Sequence, residues 1–291
     1  MNQLADNNLA SLRWQIDAGA DEAIGETPQN RYVVVQEVEP VAAPRKAVSQ
    51  NISQKTAQNI APAAEHMERA SEIASRCNSL PELRDALAAF DGCSLKKTAK
   101  SLVFADGNPD SRVMLIGEAP GSEEDRRGLP FVGASGQLLD RMLAAIGRNR
   151  DQVYIANILP WRPPGNRKPT LEESQICLPF LKRHIELANP AALMLLGGTA
   201  METLLERKDR ITRVHGKWQE YQVKSGSTEM SQEPQVIPAM PVYHPAYLLR
   251  NPALKREAWQ DFLCFQEKLE SLGLEPTGLE SPVPESGESP A

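Results

Sequence analysis

The segment Val113–Asp125, with the sequence VMLIGEAPGSEED, decides the fold of this chain. Its first four residues, Val113–Ile116, are all apolar and are followed by Gly117, a pattern typical of a strand buried on both faces. The residues after the strand include glycine, proline and several carboxylates, which predicts a tight acidic loop. A doubly buried strand with a loop at its carboxyl end is typical of a parallel sheet covered by helices.

Strands and helices alternate along the rest of the chain. Further strands are predicted at 153–158, 192–196, 217–223 and 236–243, and helices at 134–146, 170–187, 199–205 and 253–269. The helix at 170–187 opens with Thr170-Leu-Glu-Glu173, in which threonine and glutamate satisfy each other's backbone N–H groups. The alternation predicts an α/β protein: a three-layer α/β/α sandwich on a mainly parallel central sheet.

The predicted domain covers residues 81–270. Residues 27–66 are rich in proline, glutamine, alanine and serine, and lack the apolar periodicity that a folded segment needs. We therefore expect a largely disordered tail over 1–80, with a short helix near 10–24 that could dock a protein partner. A disordered acidic tail is expected over 271–291.

Charge is spread unevenly along the chain. The formal net charge is −6, from 32 basic and 38 acidic residues, yet residues 81–270 hold 25 bases and 24 acids. A nearly neutral domain must bind a polyanion through local basic clusters. Four cysteines occur without short repeated spacing, at Cys77, Cys93, Cys177 and Cys264, and no signal peptide or long apolar span is present. We expect a soluble, reduced, cytoplasmic monomer with no membrane contact.

Three loops carry the candidate chemistry, because ligands of such sheets bind beyond the carboxyl ends of the strands. Gly117–Asp125 contains carboxylates that could hold water at the strand end. The alternative is a tight turn followed by the acidic start of a helix. His244–Pro252 contains a histidine, an apolar pair and an arginine, which could stabilise an anion, enter a base stack and contact phosphate. The alternative is a capped turn whose histidine faces the core. Arg162–Lys168 is basic and rigid, which suits contact with a DNA backbone. The alternative is a solvated loop without a ligand. Asn157 ends the second strand.

Five motifs occur in order: Gly117-Glu-Ala-Pro-Gly-x-x-Glu-Asp125, Leu129-Pro-Phe-Val-Gly133, Asn157, Arg162-Pro-Pro-Gly-Asn-Arg167 and His244-Pro-Ala-Tyr-Leu-Leu-Arg250. Together they resemble the motifs of the family-four uracil-DNA glycosylases, over roughly Phe90 to Phe265. The resemblance implies the uracil-DNA glycosylase-like fold. It also implies a DNA repair enzyme that hydrolyses the N-glycosidic bond of uracil in single- or double-stranded DNA and leaves an abasic site.

The resemblance implies a role for each pocket residue. Phe131 would stack on the flipped uracil, and the Asn157 amide would donate to O4 and accept from N3–H. Cytosine presents the reverse pattern, which would cost about 1–3 kcal/mol for each buried group left unpaired. The first loop would supply the remaining substrate contacts, from Ala119, Gly121 and Glu124, with Glu124 excluding the methyl group of thymine.

Catalysis would follow from the leaving group. His244 would donate to uracil O2 as negative charge develops, and Glu118 would place water or oppose the positive charge of the sugar. Related enzymes of the superfamily often carry an aspartate where this chain has Ala119, so Glu118 is a candidate base only.

The same resemblance assigns the DNA contacts. Flipping the base leaves a gap in the stack, which Leu248 or Leu249 would fill. Phosphate contacts would come from Arg162, Arg167 and Arg250.

Family-four enzymes usually bind an iron–sulfur cluster through four cysteines. Cys93 and Cys177 match two of those positions, whereas Phe90 and Trp161 occupy the other two. Because such clusters normally need four thiolates, we expect no cluster, no other cofactor and no metal.

Three alternatives stay open at the level of sequence. The first is a glycosylase for another base, such as hypoxanthine or thymine in a T·G pair. The second is a non-catalytic binder of uracil-containing DNA; the related group that traps DNA does so on a histidine, and this chain has none between Asn157 and His184. The third is a nucleotide-binding α/β domain, but the first strand is followed by neither a Gly-x-Gly-x-x-Gly nor a Walker sequence.

Overall fold

The structure, a computed structural model, describes residues 64–223 and 235–276. Its strands are β1 (Asp106–Gly107), β2 (Val113–Gly117), β3 (Tyr154–Asn157), β4 (Ala192–Leu196), β5 (Gln219–Gln222) and β6 (Val236–Val242). Its helices are α1 (64–75), α2 (Leu80–Ala89), α3 (Ser122–Arg127), α4 (Ala134–Ala145), α5 (Leu171–Ala188), α6 (Gly198–Leu204), α7 (Ile211–Val214), α8 (Pro245–Arg250) and α9 (Lys255–Ser271).

One six-stranded sheet has the order β1-β3-β2-β4-β6-β5. The four inner strands are parallel, and β1 and β5 are antiparallel edge strands. Every residue of β2 and β4 is buried, as their continuous apolar sequences predict. Gly117 of β2 is paired with Asn157 of β3, so the carboxyl ends of these strands meet at one edge of the sheet.

Helices cover both faces of the sheet and form two apolar layers. One layer contains Phe90 and Trp161, both 2 % exposed, and the other contains Phe262 and Phe265. The predicted three-layer α/β/α sandwich on a mainly parallel sheet is confirmed. None of the helices in the described residues is long and apolar enough to cross a membrane.

The folded region begins earlier than residue 81, which corrects the boundary predicted from the sequence. Residues 64–75 are helical, and Ala70 and Ala74 are buried against the core. Arg183 Nε of α5 donates to the Cys77 carbonyl at 2.9 Å, which fixes the turn after α1. The sequence pattern missed this helix because its buried positions carry alanines, which give a weak apolar signal.

At the other end, α9 continues to Ser271, one residue beyond the predicted boundary. Arg148 donates to the carbonyl of Leu274, and Leu274 packs against the core. The helix expected near residues 10–24 lies outside the described residues.

Candidate active site

A cleft of about 780 Å³ lies at the edge of the sheet where the parallel strands end. Nine of the residues singled out in the sequence line it: Glu118, Ala119, Gly121, Glu124, Phe131, Asn157, Arg167, His244 and Arg250. They come from loops that are distant in sequence, so the topology of the sheet brings them together. Arg162, Leu248 and Leu249 do not line this cleft.

Asn157 presents a hydrogen-bond acceptor that has no partner in the described part of the protein. Its side chain is 7 % exposed, and Oδ1 is buried without a donor. Gly117 lies beside it, and a Cβ at that position would be 2.5 Å from Oδ1 and 2.6 Å from the Phe131 ring. A glycine is therefore needed here for the amide and the aromatic ring to approach the strand end.

Phe131 is held in an unusual backbone conformation. Its φ is +53°, in the left-handed region that costs a non-glycine residue about 1–2 kcal/mol. Arg150 stabilises this turn by donating to the carbonyls of Phe131 and Pro130. The Phe131 ring is buried, with its centroid 5.6 Å from that of His244, so it forms an apolar wall of the cleft next to the histidine.

Glu124 connects the first loop to the Phe131 segment. Its Oε1 accepts from the N–H groups of Val132 and Gly133 at 2.9 and 2.8 Å, and its Oε2 accepts from Gly121 N at 3.1 Å. The carboxylate is thus satisfied by three backbone donors and braces two segments of the cleft. A role in excluding thymine stays a prediction.

His244 is a neutral hydrogen-bond donor. It caps α8, and its Nδ1 accepts from Ala246 N at 3.1 Å, so in the neutral ring the proton resides on Nε2. Burial lowers the pKa of His244 to about 4, and the positive charge of Arg250 adds to this shift. The imidazole is therefore uncharged at neutral pH.

Glu118 is fixed from two directions. The backbone around it is anchored because Ile158 N donates to the Gly117 carbonyl and Leu159 N donates to the Glu118 carbonyl. Its Oε2 accepts from Thr199 Oγ1 at 2.7 Å. Thr199 was not singled out in the sequence, although the Gly197-Gly198 pair before it marks a strand end at the same edge of the sheet.

The structure separates the two leucines of the last loop. Leu248 is fully buried, packed with Leu138 and Ala258, so of the two alternatives the one in which Leu248 fills the gap in the base stack does not fit the structure. Leu249 is 40 % exposed and remains the candidate that enters the base stack. Adjacent residues on a helix point to different faces, and the sequence alone did not determine which face of α8 packs inward.

The predicted phosphate-binding arginines differ in their surroundings. Arg250 is exposed at the cleft. Arg162 Nε donates to Asn166 Oδ1 at 2.8 Å within its own loop. Arg167 forms a two-pronged ion pair with Glu173, at 2.8 and 2.6 Å, which fastens the loop to α5. Arg210 also lines the cleft and was missed in the sequence.

The residues around Cys93 do not suit a cluster held by four thiolates. Cys93 and Cys177 are both buried in one apolar layer, and the neighbouring Cys93 thiol together with burial raises the pKa of Cys177. Phe90 and Trp161 occupy the same apolar layer and are almost fully buried. Cys77 Sγ donates to Ile73 O, and Cys264 packs against the opposite layer. Within 64–223 and 235–276, no three His, Cys, Asp or Glu side chains are grouped to hold a metal ion.

Comparisons with known proteins agree with this arrangement. The model of the uracil DNA glycosylase superfamily matches residues 104–263. A type-4 uracil-DNA glycosylase of Pyrobaculum aerophilum is 36% identical over 190 residues, 64% of this chain and 92% of that protein. The type-4 enzyme of Archaeoglobus fulgidus is 38% identical over 188 residues, 63% of this chain and 90% of that protein. That of Thermotoga maritima is 39% identical over 160 residues, 55% of this chain and 77% of that protein. The matched region contains the whole cleft, and the chain belongs to the uracil DNA glycosylase superfamily.

Proposed function

We propose that this protein is a uracil-DNA glycosylase of the type-4 group, which hydrolyses the N-glycosidic bond of uracil in DNA and leaves an abasic site. The observation that carries the proposal is the unpaired, buried Oδ1 of Asn157 beside the Phe131 ring. A buried acceptor without a donor costs about 1–3 kcal/mol, which a ligand with a matching N–H group would recover. Uracil N3–H is such a donor, and the amide nitrogen of Asn157 would donate to O4.

The bond would break with uracil leaving as an anion. The electron pair of the C1′–N1 bond goes to the base, and the oxygen of a water molecule bonds to C1′. His244 Nε2–H would donate to O2 as negative charge develops there, a role supported by the Nδ1 contact with Ala246. Glu118 would orient the water and take its proton.

DNA binding would involve the exposed rim of the cleft. Arg250 and Arg210 are exposed at the cleft and would contact phosphates, and Leu249 would occupy the space that the flipped base leaves. Arg162 and Arg167 are already bonded within the protein. They would contribute to DNA binding indirectly, by stabilising the conformation of the loop that contains them.

We also propose that this chain departs from the four-cysteine pattern and holds no iron–sulfur cluster. Phe90 and Trp161, which stand at two of the four cysteine positions of the family pattern, would fill this region with apolar side chains. The layer containing them is supported by the Phe90–Phe180 ring contact, at a centroid distance of 5.1 Å.

Anaerobically purified protein should contain no stoichiometric iron and show no charge-transfer absorbance. A brown preparation whose iron content follows protein concentration would overturn this.

Asn157→Asp tests the proposed function most sharply. An ionised carboxylate cannot donate to O4, so single-turnover excision from a uracil oligonucleotide should fall by roughly 100-fold or more. Asn108→Asp is the matched control, because Asn108 Oδ1 only accepts a hydrogen bond, from Asp110 N at 2.9 Å, and a carboxylate can do the same. Wild-type turnover by Asn157→Asp would remove Asn157 from the pocket.

A further inference from the structure

Thr199 makes a contact with Glu118 for which the mechanism above has no use. Its Oγ1 donates to Glu118 Oε2 at 2.7 Å, and both residues line the cleft. In the described ranges of the chain, no other side chain donates to Glu118. The hydroxyl of Thr199 therefore fixes one carboxylate oxygen, and no donor among residues 64–223 and 235–276 bonds to Oε1.

The turn that carries Thr199 also contacts His244. Gly197 has φ +99°, which favours glycine, and a Cβ at this position would be 3.0 Å from the His244 Cβ. Gly197 N donates to the Val242 carbonyl at 2.9 Å, which ties the turn to the strand that leads to His244. A single short turn thus sets the position of Glu118 through Thr199 and permits the close approach of His244.

We propose that Thr199 is a positioning residue for the glycosylase reaction: its hydroxyl fixes the rotamer of Glu118, so that Oε1 holds the attacking water. This inference rests on the proposed function. A carboxylate on a flexible stem has several rotamers of similar energy, and a misdirected water would not be aligned with C1′. The threonine hydroxyl has a single proton, and this proton is directed to Oε2.

The size of the effect follows from the hydrogen bond. Hydrogen bonds to charged groups are strong enough that losing one that orients a reacting group should slow chemistry about 10- to 100-fold. Affinity for DNA should not change, because Thr199 bonds to a side chain of the protein and the contact exists without DNA.

Thr199→Val and Thr199→Ser test the inference on the full chain. Valine keeps the shape and removes the hydroxyl, so the single-turnover rate with saturating enzyme should fall about 10- to 100-fold, while the Kd for a uracil oligonucleotide stays within about 2-fold. Serine restores the donor and should recover most of the rate. Thr203→Val, on the same helix but outside the cleft, is the matched control and should behave as the wild type.

A double-mutant comparison shows whether Thr199 acts through Glu118. In a Glu118→Ala background there is no carboxylate to orient, so Thr199→Val should add no further loss. The inference is overturned if Thr199→Val retains the wild-type rate, if it raises Kd by the same factor as it lowers the rate, or if it slows Glu118→Ala equally. It is also overturned if Thr199→Val has a lowered Tm and Thr199→Ser does not recover the rate, because Thr199 is then a structural residue. An inactive wild-type protein would instead overturn the proposed function.

Discussion

The side chain of His244 owes its charge state to its immediate surroundings. Burial disfavours the imidazolium and Arg250 adds repulsion, which together outweigh the opposing charge of Glu124, so the folded pKa is about 4. The ordinary value is about 6.5, so the unfolded chain takes up this proton first. The contribution of His244 to stability is therefore complete above about pH 6.5 and is lost as the pH falls towards 4.

We predict that His244 does not titrate near pH 6.5 in the DNA-free protein. NMR titration of the histidine ring protons, with His244 identified by its absence in His244→Ala, should give a pKa near 4. Arg250→Gln should raise this value, because it removes a nearby positive charge. A His244 resonance that titrates at its ordinary value would contradict the neutral-donor role.

His244→Ala is expected to separate chemistry from binding. The variant loses the donor to O2 and should slow single-turnover excision by about 10²–10³-fold. The Kd for uracil-containing DNA should change far less, because phosphate contacts dominate affinity. An equal loss of affinity with unchanged chemistry in the bound state would make His244 a binding residue only.

At the level of elements, the strand ends were predictable because continuous apolar segments ended at glycine or a polar residue. Val113–Gly117 and Ala192–Leu196 lie within a residue of the sequence prediction. Of the two six-residue helices, Ser122–Arg127 was expected only as an acidic helix start and Pro245–Arg250 only as a capped turn, because six residues cannot show a helical period. The burial of Leu248 depends on how the second of these helices packs, which no local pattern encodes.

The ion pair between Arg167 and Glu173 holds the basic loop onto α5. Glu173 is 7 % exposed and also caps this helix through Thr170, so it links the loop to a helix start. Arg167→Gln should lower the free energy of unfolding only slightly, because the guanidinium is exposed and solvent screens the ion pair. Urea denaturation of the variant and the wild type measures the difference in the free energy of unfolding. Lys168 is the neighbouring exposed cation at the cleft rim, and Lys168→Gln should leave stability unchanged and weaken DNA binding.

At the scale of the whole molecule, the apolar layer that contains Phe90 and Trp161 forms one of the two cores that cover the sheet. Trp161 is 2 % exposed, and Trp161→Ala should destabilise the protein by about 3–5 kcal/mol. Trp259→Ala is the matched control: Trp259 is 39 % exposed on α9, and its loss should cost less than about 1 kcal/mol. If the two variants unfold at the same denaturant concentration, the burial of Trp161 does not contribute more to stability than the exposed Trp259.

The extent of the folded region leads to a further expectation. A chain beginning at Leu80 loses α1 with the buried Ala70 and Ala74, and should therefore melt at a lower temperature than one beginning at residue 64. Calorimetry of the two trimmed chains measures the difference. Equal Tm values would mean that α1 contributes nothing to the core, as the boundary predicted from the sequence implied.

This molecule excises uracil from DNA, and we expect it to discriminate against other bases. The direct measurement is to incubate the full chain with labelled oligonucleotides containing uracil, hypoxanthine or a T·G mismatch, and then to cleave abasic sites with alkali. We expect strand scission at uracil, with hypoxanthine and thymine left intact: thymine carries a methyl group at C5 on the side of Glu124, and hypoxanthine, which offers Asn157 an equivalent N–H and carbonyl, is a larger bicyclic base than the pyrimidine for which Phe131 and Asn157 would form the pocket. No cleavage at uracil, or faster cleavage at either of the other bases, would contradict it.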